Sequence, residues 1–183
     1  MPVSTYWGEY PTQIDEKLLN KILRKYNVFS RGAGESIVRR FAKPWHEYVG
    51  TVLELCEKKA AKLEQLSREI EREYEELLAG IARGAAGGGA GSRLSSSARS
   101  ASVIINSMVK LGCIPKVTSK VPYRRVSQVP PALRSLGRGR VGAAPEAVRE
   151  IRGVLAKWRA TKPKLIEYRE GIVRKAREEG LEL

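Results

Sequence analysis

Histidine, cysteine, phenylalanine and the side-chain amides are scarce in this chain, and over one long stretch acids are missing altogether. One histidine, His46, and two cysteines, Cys56 and Cys113, stand among 183 residues. With no Cys-x-x-Cys pair and a single imidazole, a zinc-type cluster is excluded. Buried free thiols are the first expectation for the cysteines, with a single disulfide as the alternative. His46, next to Trp45, reads as a partly buried structural residue. The motifs Gly-x-Ser-x-Gly and His-Glu-x-x-His do not occur, and no carboxylate pair sits in an apolar setting, so neither catalysis nor a cofactor is expected. No run of 18 apolar residues is present to span a bilayer. The start, Met1-Pro2-Val3-Ser4, has neither the basic nor the apolar region of a signal peptide. Asn and Gln number three each against 34 Lys and Arg, a profile that leans towards a hyperthermophilic source. There an intracellular disulfide is less surprising. Two phenylalanines leave a core that must be mainly aliphatic.

The missing acids are the most informative absence. Residues 77–145 contain no Asp or Glu, but eight arginines and three lysines, a net +11 out of the chain's +14. A globular surface normally mixes both signs, because charge of one sign repels itself. A long acid-free basic stretch suits a polyanion, and nucleic acid is the commonest, since lysine and arginine displace its condensed counterions. The competing account is a solvated basic linker. The expected contacts are Arg83, Arg93, Ser96, Arg99, Lys110, Lys116, Lys120, Arg124, Arg125, Arg134, Arg138 and Arg140.

Along the chain the periodicity is helical. Residues 1–14, with Tyr6, Trp7 and Tyr10, read as an N-terminal arm whose aromatics pack on its own body or on another subunit. Residues 15–111 read as a helical region. Leu18, Leu19, Ile22, Leu23 and Tyr26 share a face, and residues 35–41 suit a short helix. Pro44 fits the first turn of a long helix over 44–82, with Trp45, Val49, Val52, Cys56, Ala60, Leu63, Leu66, Ile70, Tyr74, Leu77 and Ile81 at steps of three and four. Residues 84–91, GAAGGGAG, break the pattern as a joint or a place of close backbone approach. A basic helix over 92–111 follows, capped by Ser92 and ended by Gly112. It has Leu94, Ala98, Ala101, Ile105, Met108 and Val109 on one face, and Ser92, Ser95, Ser96, Arg99, Asn106 and Lys110 on the other. Residues 112–145, with five prolines, read as an extended basic segment. Residues 146–183 read as a helical hairpin, Pro145 opening one helix and Pro163 the next. The fold expected is all-α: an elongated helical bundle with one long helix, an N-terminal arm and a Pro-rich extended basic segment.

Two short motifs inside this layout carry little. Gly137-Arg138-Gly139-Arg140-Val141-Gly142 matches Gly-x-Gly-x-x-Gly, yet no strand precedes it and no βαβ unit surrounds it, so it is not a dinucleotide site. Arg138-Gly139-Arg140 is similar to the core of AT-hook peptides but lacks their flanking prolines.

The aromatic arm (Tyr6, Trp7, Tyr10), the long helix, the basic serine-rich helix and the Pro-rich basic stretch together resemble the coat proteins of filamentous viruses of hyperthermophilic archaea. That resemblance is one of layout, without a residue-level motif. It implies an all-helical virion protein that wraps double-stranded DNA and holds it in A-form, with further copies of itself or a related subunit as partners. The function expected is packaging of double-stranded DNA without sequence preference, located in a virion, or otherwise in the cytoplasm or nucleoid. The alternatives are a cellular chromatin or regulatory DNA-binding protein, an RNA- or ribosome-associated basic protein, and a helical scaffold that meets an acidic protein. Phosphate contacts position a protein without reading sequence.

Overall fold

A computed structural model describes residues 16–26, 37–84 and 89–183. The expected N-terminal arm lies outside the described residues. The fold is all-α, and among the described residues no strand forms. Five helices are described: α1 (Glu16–Lys25), α2 (Ile37–Ala82), α3 (Ala90–Leu111), α4 (Pro131–Gly137) and α5 (Ala144–Glu178). A single 3-10 turn, Val141–Ala143, leads into α5.

The spine is α2, 46 residues and about 69 Å long at 1.5 Å per residue. It runs through Pro44 without a break, so the expected short helix ending at Phe41 and the long one starting at Pro44 are one element. An internal proline removes a main-chain hydrogen bond and costs about 3 kcal/mol. Burial on both sides of it (Val38, Phe41 and Ala42 before, Trp45, Tyr48 and Val49 after) holds the helix together. The expected apolar stripe is buried from Trp45 to Ile70, while Tyr74 and Leu77 are half-buried and Ile81 is exposed.

On one side of α2 lies α5, antiparallel to it. Trp45 Nε1 donates to the Tyr168 hydroxyl at 2.8 Å, Lys162 pairs with Glu57 at 2.5 Å, and Arg152 pairs with Glu71 at 2.6 Å, so the two helices stay in register over most of their length. The expected hairpin at 146–183 is instead this single helix, continuous through Pro163. The reason is the same as at Pro44: Trp158, Thr161, Leu165 and Ile172 are buried on both sides of the proline. Arg169 reaches back across α2, its Nε donating to the His46 carbonyl at 3.3 Å. Gly50 makes room for it, since a Cβ there would meet the guanidinium at 2.7 Å. Burial, with Arg169 second, lowers the pKa of His46 below the usual histidine value.

On its other side α2 carries α3, also antiparallel. The chain reverses between Ala82 and Ala90, and Cys56 of α2 is disulfide-bonded to Cys113, two residues beyond the end of α3. The expectation of free thiols is thus corrected. The Gly112 turn explains the placement: Gly112 N donates to Val109 O and Cys113 N to Met108 O, with Gly112 at φ +91. This left-handed cap folds Cys113 back on to α2. The helix starts at Ala90 with Gly89 as N-cap, so Ser92 lies inside the first turn rather than capping it. The short α1 packs against the start of α2, where Lys25 and the Tyr26 hydroxyl both bind the Glu47 carboxylate.

Candidate nucleic-acid interface

The basic stretch is built from three pieces: the outer face of α3, the loop over residues 115–128, and α4 with the turn that follows. Residues 131–143, expected to be extended, instead form α4 and the 3-10 turn. Pro130 and Pro131, which read as extended chain, serve as N-cap and first residue of α4, positions where the missing N–H costs nothing. Leu133 and Leu136 bury fully. Glu150 of α5 reaches under the start of α4 and accepts from Ala132 N at 3.2 Å and Leu133 N at 2.8 Å. Its charge also suits a helix N-terminus.

Two contacts then clamp α4 on to α3. The Ser95 hydroxyl donates to the Leu136 carbonyl at 3.1 Å, so Ser95 is buried and not on the outward face expected for it. Gly137 lets the stem of Arg99 lie over it, since a Cβ there would meet Arg99 Cγ at 3.4 Å. The helix ends in a Schellman turn: Arg140 N donates to Ser135 O, Gly139 N donates to Leu136 O, and Gly139 has φ +94. Arg138-Gly139-Arg140 is therefore a rigid helix cap. It does not lie extended as an AT-hook core does. Gly137 lies against the Arg99 stem, and Arg138 and Arg140 follow it in the cap.

The loop is closed at its root by one side chain. The Gln128 amide accepts from Val117 N at 2.8 Å and donates to Val117 O at 3.0 Å and Val126 O at 3.3 Å. Lys116, Lys120, Arg124 and Arg125 project from it, all exposed. Tyr123, at φ +61, is fully exposed at the tip.

All twelve residues expected to contact nucleic acid are exposed. Among the described residues, none of the eleven cations forms an ion pair. Seven ion pairs between described residues use Lys25, Lys58, Arg68, Arg72, Arg149, Arg152 and Lys162, all on α1, α2 or α5. Arg93, Ser96 and Arg99 lie on the part of α3 that packs on α4, Arg134 lies on α4 and Arg138 and Arg140 on the turn after it, Lys110 lies at the far end of α3, and Arg83 follows the end of α2. The structure does not bring the loop cations and the α3–α4 cations into one cluster.

Besides Glu150, an acid of α2 approaches this surface. Glu73 on α2 is buried, and its Oε2 has no hydrogen-bond partner among the described residues. Burial raises its pKa above the usual carboxylate value, and Arg93 counters part of that rise. Sequence reading missed Glu73, Glu150 and Gln128, because nothing in their local pattern distinguishes them from other polar residues on helices and loops.

Among the described residues, no three His, Cys, Asp or Glu come together as a metal site, and no helix is long and apolar enough to cross a membrane. No protein-family model matches this chain, and neither a curated protein nor a solved structure matches it.

Proposed function

We propose that this protein binds double-stranded DNA through its phosphates, without sequence preference, and packages it as many copies of one structural subunit. The observation that carries this reading is the division of charge. Acids stand among the cations of α1, α2 and α5, and seven ion pairs form there, whereas α3, the 115–128 loop and α4 hold exposed cations, no acid and, among the described residues, no ion pair. Polyanion phosphates supply the missing countercharge and release counterions on binding.

The α3–α4 face suits a phosphate backbone. Short side chains such as Ser92, Ser96 and Ser100 alternate with Arg93 and Arg99, so the helix can approach closely and hydroxyls can add contacts. Arg138 and Arg140 sit on a capped turn, both exposed. The layout likeness to coat proteins of filamentous archaeal viruses agrees with this reading and makes a virion the proposed location.

The test is titration of the protein on to long random-sequence duplex DNA, viewed by electron microscopy. Uniform filaments whose length follows the DNA support packaging. Discrete complexes at preferred positions favour a regulatory protein, and tighter binding to duplex RNA of the same length transfers the reading to RNA.

A further inference from the structure

The exposed large apolar side chains are not scattered. Among the described residues, six of the nine lie in two places: Val117, Val121, Tyr123 and Val126 on the loop, and Leu78 and Ile81 at the end of α2. The two places carry opposite charge. Residues 115–128 hold four cations and no acid, net +4; residues 69–82 hold five glutamates and one arginine, net −4. Glu75 and Glu76 are exposed beside Leu78. Each patch therefore offers the other both an apolar centre and countercharge.

The Cys56–Cys113 bond roots the start of the loop beside Cys56, and Glu75 and Glu76 lie 19 and 20 residues further along the continuous helix α2, about 30 Å from that root. We propose that the loop of one copy docks on the acidic end of α2 of a second copy, head to tail. Because the two surfaces differ, each added copy leaves a fresh loop and a fresh α2 end open, which gives a growing row and not a closed pair. The Gln128 clamp holds the tip outward for this contact, with Tyr123 as its apolar anchor. Such a row would set the α3–α4 faces of successive copies in one repeating orientation. The inference deepens the multi-copy reading above, and it reassigns Arg124 and Arg125 from phosphate to protein.

Charge exchange tests it. Arg124→Glu/Arg125→Glu places acid against acid, and Glu75→Arg/Glu76→Arg places base against base. All four residues are exposed, and thermal melts check that the variants fold. Assembly is followed by sedimentation, alone and on long duplex, while affinity for a duplex too short for two copies is measured separately. Each variant alone should need at least about tenfold more protein to assemble, as like-charge contacts do. An equimolar mixture of the two should assemble again, as should a chain carrying all four changes. In Glu75→Arg/Glu76→Arg, whose changes lie outside the phosphate-facing cations, short-duplex affinity that does not fall while assembly is lost separates this contact from DNA binding itself. Loss without rescue in the mixture overturns the proposal, as does assembly of both variants at the wild-type concentration. A wild-type chain that stays monomeric alone and on long duplex overturns it too, whatever its affinity for short DNA.

Discussion

Two surfaces of this molecule solve the problem of charge differently. Where α5 and α1 cover α2, cations and acids interleave: Arg152 meets Glu71, Lys162 meets Glu57 and Lys25 meets Glu47. On α3, which covers its other side, and on α4, which packs on α3 and α5, every described cation is exposed and without an ion pair. The first side carries both signs, and its ion pairs form within the isolated chain. The second is left with a field of one sign, which becomes favourable when an external anion is present. Exposed ion pairs add little stability, typically below about 1 kcal/mol. The contrast therefore concerns binding far more than folding.

The largest expected effect comes from reversing charge on the unpaired side. Arg99→Glu, Arg138→Glu and Arg140→Glu together should lower duplex affinity by roughly 100-fold or more at moderate salt, and flatten the salt dependence by about three phosphate contacts. Reversing Lys58, Arg68 and Arg149 on the paired side should change affinity by less than about tenfold, a long-range field effect screened by salt. Fluorescence anisotropy with a labelled random duplex measures both. Equal losses from the two triple variants would erase the distinction between the surfaces.

Next is the bond that joins them. Cys56 and Cys113 close a loop of 57 positions, and replacing both with serine should cost about 4 kcal/mol by loop entropy. For a chain of this size that is a fall in melting temperature of about 10 °C. The same fall should follow reduction of the wild type, with no further change on adding reductant to the variant.

A smaller change should come from Leu136→Ala. The side chain is fully buried where α4 meets α3, and its loss should cost about 3 kcal/mol. Because Arg138 and Arg140 ride on that helix, duplex affinity should fall as well, by a few-fold. Ile172→Ala on α5 should cost similar stability and leave affinity unchanged.

The smallest effect is a pH dependence. The raised pKa of Glu73 means that its burial is free of charge cost below the unfolded carboxylate range, and the cost appears as pH rises through the folded pKa. Glu73→Gln should therefore gain stability relative to wild type between pH 4 and pH 7, seen as a widening gap in melting temperature. His46 works in the opposite sense: its lowered pKa supports the fold above the unfolded histidine value and loses that support on acidification. It is common to both proteins, so the difference between them isolates Glu73.

Much of the fold is legible in the sequence because its helices are long. The stripes of α2, α3 and α5 repeat over many turns, and the buried positions from Trp45 to Ile70, from Leu94 to Val109 and from Val148 to Trp158 follow them. Local signals mislead where packing outweighs them. Pro44 and Pro163 read as helix starts, yet buried neighbours on both sides carry each helix through. Residues 131–137 read as extended chain, because Leu133 and Leu136 are too few to show a period amid prolines and glycines. Ser95 then reads as a surface residue, since its partner helix is unseen. The cysteine pairing depends on the reversal between α2 and α3, which no spacing encodes. For the candidate site, the absence of acids is legible as composition. Its division into an α3–α4 face and a separate loop is not, because it rests on Ser95, Gly137, Glu150 and Gln128, none of which carries charge of the sign being sought.

The measurement that bears most directly on the central claim is the salt dependence of binding to a short random-sequence duplex. If the cations of α3 and α4 meet phosphates, the logarithm of affinity should fall against the logarithm of salt concentration with a slope at or beyond roughly −5, about six contacts at ~0.9 each. A slope shallower than about −2 would contradict the account, since fewer than three phosphates would then be neutralised and the unpaired surface would serve some other partner.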